Sequence, residues 1–109
     1  MEFPKPLFNP GEVVRWTNDY GVKWHARRIL RLEEPDEWGQ RYYLEPHEAP
    51  WMYVREKNLA HETMTLATLV EEVLPFDGSL NRHCKRFPDY LSEISQVIAA
   101  RANTRADAV

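Results

Sequence analysis

The segment VKWHARRILRLE, residues 22–33, alternates more strictly than any other part of the chain. On an extended backbone, Val22, Trp24, Ala26, Arg28, Leu30 and Leu32 share one face, and Lys23, His25, Arg27, Ile29 and Arg31 share the other. A period of two over this length predicts a long strand with one dry side. Ala, Arg and Leu also favour helix, which is the rival reading. The flanking turn residues and Trp24 favour the strand. Arg28 on the dry face breaks the pattern. A bulge near Arg27–Arg28 would repair it by turning Ile29 inward.

The neighbouring segments fit that strand. Gly11 opens EVVRWT, which places Val14 and Trp16 on one face. NDYG, residues 18–21, is a turn, because Asn, Asp and Gly tolerate positive φ. EEPDEWGQ reads as a polar loop, RYYLE as a third strand, PHEAP as a turn, WMYVRE as a fourth strand and KNL as a short closing piece. Four or five short antiparallel strands are thus expected in residues 11–60. So many strands in so few residues must curl into a small barrel to bury a face and hide their edges. Residues 1–10 hold three prolines and predict an extended arm that Phe3, Leu7 and Phe8 can pin down.

Beyond Leu59 the period changes. TMTLATLVEEVL carries Met64, Leu66, Leu69, Val70, Val73 and Leu74 at helical spacing, with Thr63 or Thr65 to cap it and Pro75 to end it. FDGSLNRHCKR reads as a loop. FPDYLSEISQVIAARA predicts a second helix, with Pro88 in its first turn and a stripe of Leu91, Ile94, Val97 and Ile98. The tail NTRADAV is expected to fray. The predicted class is α+β: a small antiparallel barrel, then a two-helix extension over residues 61–109. The helices pack on the barrel or on a second copy of the chain, and a homodimer through them is one way to cover both stripes.

Composition narrows the function classes. With 109 residues there is room for one domain, and 43% hydrophobic against 28% charged residues reads as globular. A net charge of −3 argues against nucleic acid as the main partner, since phosphate binding usually leaves a basic stripe. The single Cys, Cys84, excludes an internal disulfide and a multi-Cys zinc site, and suits a reduced, intracellular thiol. MEFPKPLFNP lacks the features of a secretory leader and no apolar run approaches a spanning length, so a cytoplasmic chain with no membrane partner is expected. His25, His47, His61 and His83 lie in different elements without ligand spacing, and HETMT lacks the second His of a zinc-protease helix. His83 and Cys84 are neighbours in sequence, which does not make them a catalytic pair. No phosphate loop is present. The expectation is no metal, no cofactor and no enzymatic activity.

The aromatics are the informative residues. Alternation assigns Val14, Trp16, Ala26, Leu30, Tyr42, Leu44, Met52 and Val54 to the core. It leaves Tyr43, Trp51 and Tyr53 on an outer face or at the barrel mouth, with Tyr20 and Trp38 on loops. Either the helices or the N-terminal arm cover these rings, or they form an exposed patch that grips a ligand. Arg27, Arg28, Arg31, Arg41 and Arg55 form the one basic group of the barrel. Interleaved with rings they could hold a single nucleic-acid strand, with Arg27, Arg31, Arg41 and Arg55 as the contacts; the alternative is pairing with nearby Glu residues.

The pattern GEVVRW…YGVKWHARRIL…RYYLE…WMYVREKNL, residues 11–59, resembles an SH3-like barrel of the Tudor type. Trp24, Ala26, Arg27 and Ile29 match the strand that follows the first turn in such domains. The resemblance implies an aromatic cage for methylated Lys or Arg, with Tyr20, Trp24 and Tyr43 as its walls. The Tyr-Gly pair of those domains usually follows the third strand, whereas Tyr20-Gly21 here follows the first. YYLEPHEAPWMYV is also similar in layout to the type II dihydrofolate reductases, but Trp51 stands where their ligand-binding Gln would be, which speaks against that activity. The expected function is a non-catalytic module that binds a protein or peptide segment through Tyr20, Trp24, Tyr43, Trp51 and Tyr53. Nucleic-acid binding is the alternative, and an enzyme of unknown type the third reading.

Overall fold

The computed structural model describes residues 5–47 and 49–107. Phe3, expected to help pin the arm, and the last two residues of the tail lie outside them. Five strands form one antiparallel sheet: β1 (Val13–Thr17), β2 (Lys23–Asp36), β3 (Gly39–Glu45), β4 (Val54–Arg55) and β5 (Leu59–His61), in the order β4-β3-β2-β1-β5. The two edge strands are joined by a single 3-10 turn, Glu56–Asn58. A three-residue link between opposite edges forces the sheet to curl. The curl stops short of the closed barrel expected from the sequence: no strand ladder joins β4 to β5 among the described residues.

The concave face holds Val14, Ile29, Tyr42, Leu44 and Val54, with Trp16, Leu32 and Leu59 against them. Phe8 from the arm completes this core. Its ring meets Tyr42 edge-on at 5.7 Å and lies 4.7 Å from His61. Phe8 N–H donates to the Tyr42 hydroxyl at 3.3 Å, and Tyr42 in turn donates to Glu56 at 2.5 Å. The arm therefore fixes itself to the turn between the two sheet edges.

The strand predicted over residues 22–33 is present and runs on to Asp36, so the expected loop EEPDEWGQ shrinks to a two-residue turn, Glu37 and Trp38, between β2 and β3; its two faces serve two separate cores. Ala26 packs under the helices, whereas Ile29 enters the concave core. The bulge sits just before the position expected. Val14 pairs with Arg27 and Trp16 with Trp24, so two steps on β1 span three on β2. The extra residue falls at His25–Ala26, where Ala26 takes φ 60°. A second register shift lies between Ile29 and Arg31. These shifts leave Leu30 half exposed, and Met52 lies outside the core too, both contrary to the alternation reading.

Three helical segments follow, one more than predicted. A turn of α-helix, α1 (Leu66–Thr68), is capped by Thr65; it widens into a π-helical stretch, Leu69–Val73, and closes in a 3-10 turn, Leu74–Phe76, that contains Pro75. The expected loop FDGSLNRHCKR is instead helix α2 (Gly78–Arg86). Asp77 caps it by accepting from Leu80 N–H at 3.0 Å. Helix α3 (Tyr90–Asp107) is the second predicted helix, and it runs on through most of the tail that was expected to fray. Leu69, Leu80, Tyr90 and Ile94 pack with Val13 and Ala26 into a second core on the convex face of the sheet. Of the two stripes, Leu69 and Ile94 are buried within the chain, most of the others are half-buried, and Leu66 and Val70 stay exposed. No helix among the described residues is long and apolar enough to cross a membrane.

Candidate binding cleft

The β1–β2 turn is built by Asn18. Its side-chain oxygen accepts from Tyr20 N–H at 3.0 Å and Val22 N–H at 2.9 Å, and Gly21 supplies φ 81°. This Asx-type turn leaves Tyr20 at the apex, 92% exposed. Across from it, the approach to β4 presents Met52 and Tyr53 outward, while Val54 turns into the core. Between them lies a cleft of about 400 Å3, lined by Trp16, Tyr20, Met52, Tyr53, Arg55 and Asn58 among others.

Two charged residues line the cleft: Asp19, which is exposed, and Arg55, which is paired. Arg55 is held by Asp36 through bonds of 2.6 and 2.8 Å, and its guanidinium lies 4.7 Å from the centre of the Tyr53 ring. The Arg55 bonds, helped by Trp38 N–H and the charge of Arg41, outweigh desolvation and draw the Asp36 carboxyl down to about 2. The pair therefore persists at any ordinary pH. Arg41 bonds the Glu34 carbonyl and sits 3.2 Å from Glu33. Arg27 is buried against Asp77. Arg31 lies over the Tyr43 ring at 3.9 Å. Of the four arginines expected to meet nucleic acid, three are thus committed to acids of the chain itself.

The five expected ligand-binding aromatics do not converge. Tyr20 and Tyr53 line the cleft. Tyr43 is buried beneath Arg31, and its hydroxyl donates to Glu33 at 2.9 Å, which raises its pKa. Trp24 is half-buried beside a separate cavity, with Arg27 already 5.4 Å from its ring centre. Trp51 is 75% exposed but lies off the cleft lining. Met52, assigned from the sequence to the core, is a cleft residue, whereas Trp16 packs against the core as assigned and also borders the cleft. Nothing in the alternation of WMYVRE could show this, because strand pairing in β4 begins only at Val54. No group of three or more His, Cys, Asp or Glu with metal-holding geometry occurs among the described residues. No family model, curated protein or solved structure significantly matches this chain.

Iodide should quench mainly Trp38 and Trp51, which are 74% and 75% exposed, and leave Trp16 and Trp24 largely shielded. Single Trp→Phe variants assign the signal. If most of the quenchable emission disappears with Trp24→Phe, the described burial is wrong.

Proposed function

We propose that this chain is a non-catalytic interaction module, an SH3-like roll that holds a protein segment in the cleft between the β1–β2 turn and β4. The observation that carries this reading is the gathering of Tyr20, Met52 and Tyr53, each at least 40% exposed, around a half-buried Trp16. Rings and a methionine offer large contact area at low rotamer cost, which suits them to a peptide surface. The 4-3-2-1-5 strand order, with its edges joined by a 3-10 turn, supports the SH3-like reading. No His or Cys lines the cleft, which supports binding over catalysis. The internal pairing of Arg27, Arg41 and Arg55 speaks against nucleic acid as the partner.

A display library of random peptides, selected on the full chain, tests this. Selected peptides should lose about tenfold or more in affinity with Tyr20→Ala plus Tyr53→Ala, as expected for aromatic anchors. Raising salt from about 50 to about 500 mM should change their affinity only a few-fold, because few charges are released. If the double variant binds every selected peptide as well as the parent does, the cleft is not the site. A single-stranded oligonucleotide that binds with steep salt dependence would instead favour the arginine face.

A further inference from the structure

A pocket of about 150 Å3 opens beside the cleft, lined by Trp16, Trp24, Arg27, His47, Ala49 and Ser79 among others. Strands β1 and β2, the loop after β3 and the start of α2 each supply part of it. Trp16 and Asn18 border both pocket and cleft, so the two hollows adjoin across one tryptophan ring and the first residue of the Asx-type turn.

The walls of the pocket are set before anything binds. His47 stacks on Trp16 with ring centres 5.0 Å apart, and its Nδ1 accepts from Ala49 N–H at 2.8 Å, which fixes the loop. Arg27 is engaged by Asp77 and Ser79 through bonds of 2.9 and 2.7 Å. The surface left to an occupant is mainly apolar. An uncharged apolar group therefore enters without stripping water from an unpaired charge, and a space of this size holds a benzene-sized group. Preformed walls also keep the ordering cost of binding low. The cleft side asks for a charge. Asp19 follows Asn18, is exposed and forms no ion pair among the described residues, whereas Arg55 is held by Asp36. The unpaired charge at the cleft is thus negative, as is that of the whole chain, −3.

We propose that the segment bound in the cleft places one uncharged, ring-sized apolar side chain, such as phenylalanine, in this pocket, and sets a lysine or arginine close to it against Asp19 and Tyr20. This inference rests on the peptide reading of the cleft and names what the peptide carries. The ring supplies most of the affinity, because an exposed ion pair changes binding only a few-fold, whereas an anchor buried in a pocket is worth about tenfold or more.

Peptides selected on the full chain should share a phenylalanine, or a residue of similar size, with a basic residue within a few positions. Replacing that phenylalanine by alanine should weaken binding to the parent about tenfold or more, but binding to Ala49→Leu less than about threefold, because the added side chain already fills the pocket. Asp19→Lys should weaken the same peptides a few-fold or more. A second readout needs no altered pocket. In 15N-labelled protein each of the four tryptophans gives one indole N–H signal. Trp24 lines the pocket and not the cleft, and its signal is assigned by its loss in Trp24→Phe. The phenylalanine peptide at saturation should move that signal through its ring current, and the alanine peptide at saturation should not. The proposal is overturned if alanine costs the same on both proteins, if bound peptide leaves the Trp24 signal in place, or if Asp19→Lys binds as the parent does. Peptides that need Tyr20 and Tyr53 but never move the Trp24 signal leave the cleft reading standing and sink this one. Peptides indifferent to Tyr20→Ala plus Tyr53→Ala sink the cleft reading, and this proposal with it.

Discussion

Asp77→Ala should cost about 3–5 kcal/mol of folding stability, the usual penalty for removing one partner of a buried ion pair. Arg27 and Asp77 are nearly closed to solvent, with side chains 3% and 8% exposed. Arg27 donates to both Asp77 oxygens at 2.9 and 3.3 Å, to Ser79 at 2.7 Å and to the His25 carbonyl at 2.8 Å. Asp77 also accepts from Leu80 N–H, so its loss uncaps α2 as well. The variant strands a guanidinium between sheet and helix. Against a typical total of about 5–15 kcal/mol, that loss brings the domain close to unfolding. Urea titration followed by circular dichroism measures it. Adding Arg27→Met should return a good part of the loss, since the stranded charge is then gone. If the double variant is as unstable as the sum of the two singles, the ion pair is not what holds the layers together.

The same carboxyl sets a pH dependence. Burial pushes the Asp77 carboxyl up, but the bonds from Arg27, Leu80 N–H and Ser79, with the charge of Arg27, outweigh it, and the net pKa lies below the usual carboxylate range. A pKa lowered by folding contributes stability that is complete above the unfolded value of about 3.9. That contribution is lost as pH falls through the folded value. The gap between parent and Asp77→Ala should therefore be constant near neutrality and narrow below about pH 4. A gap that widens on acidification contradicts the assignment.

Glu62→Ala should cost about as much, roughly 3–6 kcal/mol, from three backbone donors left unpaired at about 1–3 kcal/mol each, less what water recovers. The Glu62 side chain is fully buried. One oxygen accepts from Ala26 N–H at 2.9 Å and faces His25 Nδ1 at 3.0 Å. The other accepts from Thr63 N–H at 3.0 Å and Met64 N–H at 3.2 Å. One carboxylate thus pins the β2 bulge to the exit of β5. Ala26 sits there at φ 60°, a region that costs a non-glycine residue of order 1 kcal/mol or more. Ala26→Gly should accordingly cost little or even stabilise, where glycine in an ordinary strand would cost about 0.5–1 kcal/mol. Thermal melts of Glu62→Ala, Glu62→Gln and Ala26→Gly settle both points. A Glu62→Ala melting point equal to the parent's rules out this anchoring role.

Much of the fold could be read from local pattern. The strands around EVVRWT, VKWHARRILRLE and RYYLE, their turns at Asn18–Gly21 and near Gly39, the cap at Thr65 and the helix from Tyr90 all follow from side-chain period and turn chemistry, which act over a few residues. So do the Phe8 anchor and the mixed α+β class. What escaped depended on partners distant in sequence. Helix α2 has few apolar residues of its own. It is held by Asp77 as cap and by Arg27, which is 50 positions away. Leu30 and Met52 looked like core because alternation assumes an unbroken ladder, and the bulge at His25–Ala26 and the loop before Val54 break it. Tyr43 looked like an open ring because nothing in RYYLE shows that Arg31 lies across it. Local pattern thus marks most of the places where the backbone extends or turns, though not helix α2 or the full length of β2. Which charges are buried in pairs, and which aromatics face a cleft, follows from three-dimensional neighbours, because burial and ion pairing leave no period in the chain.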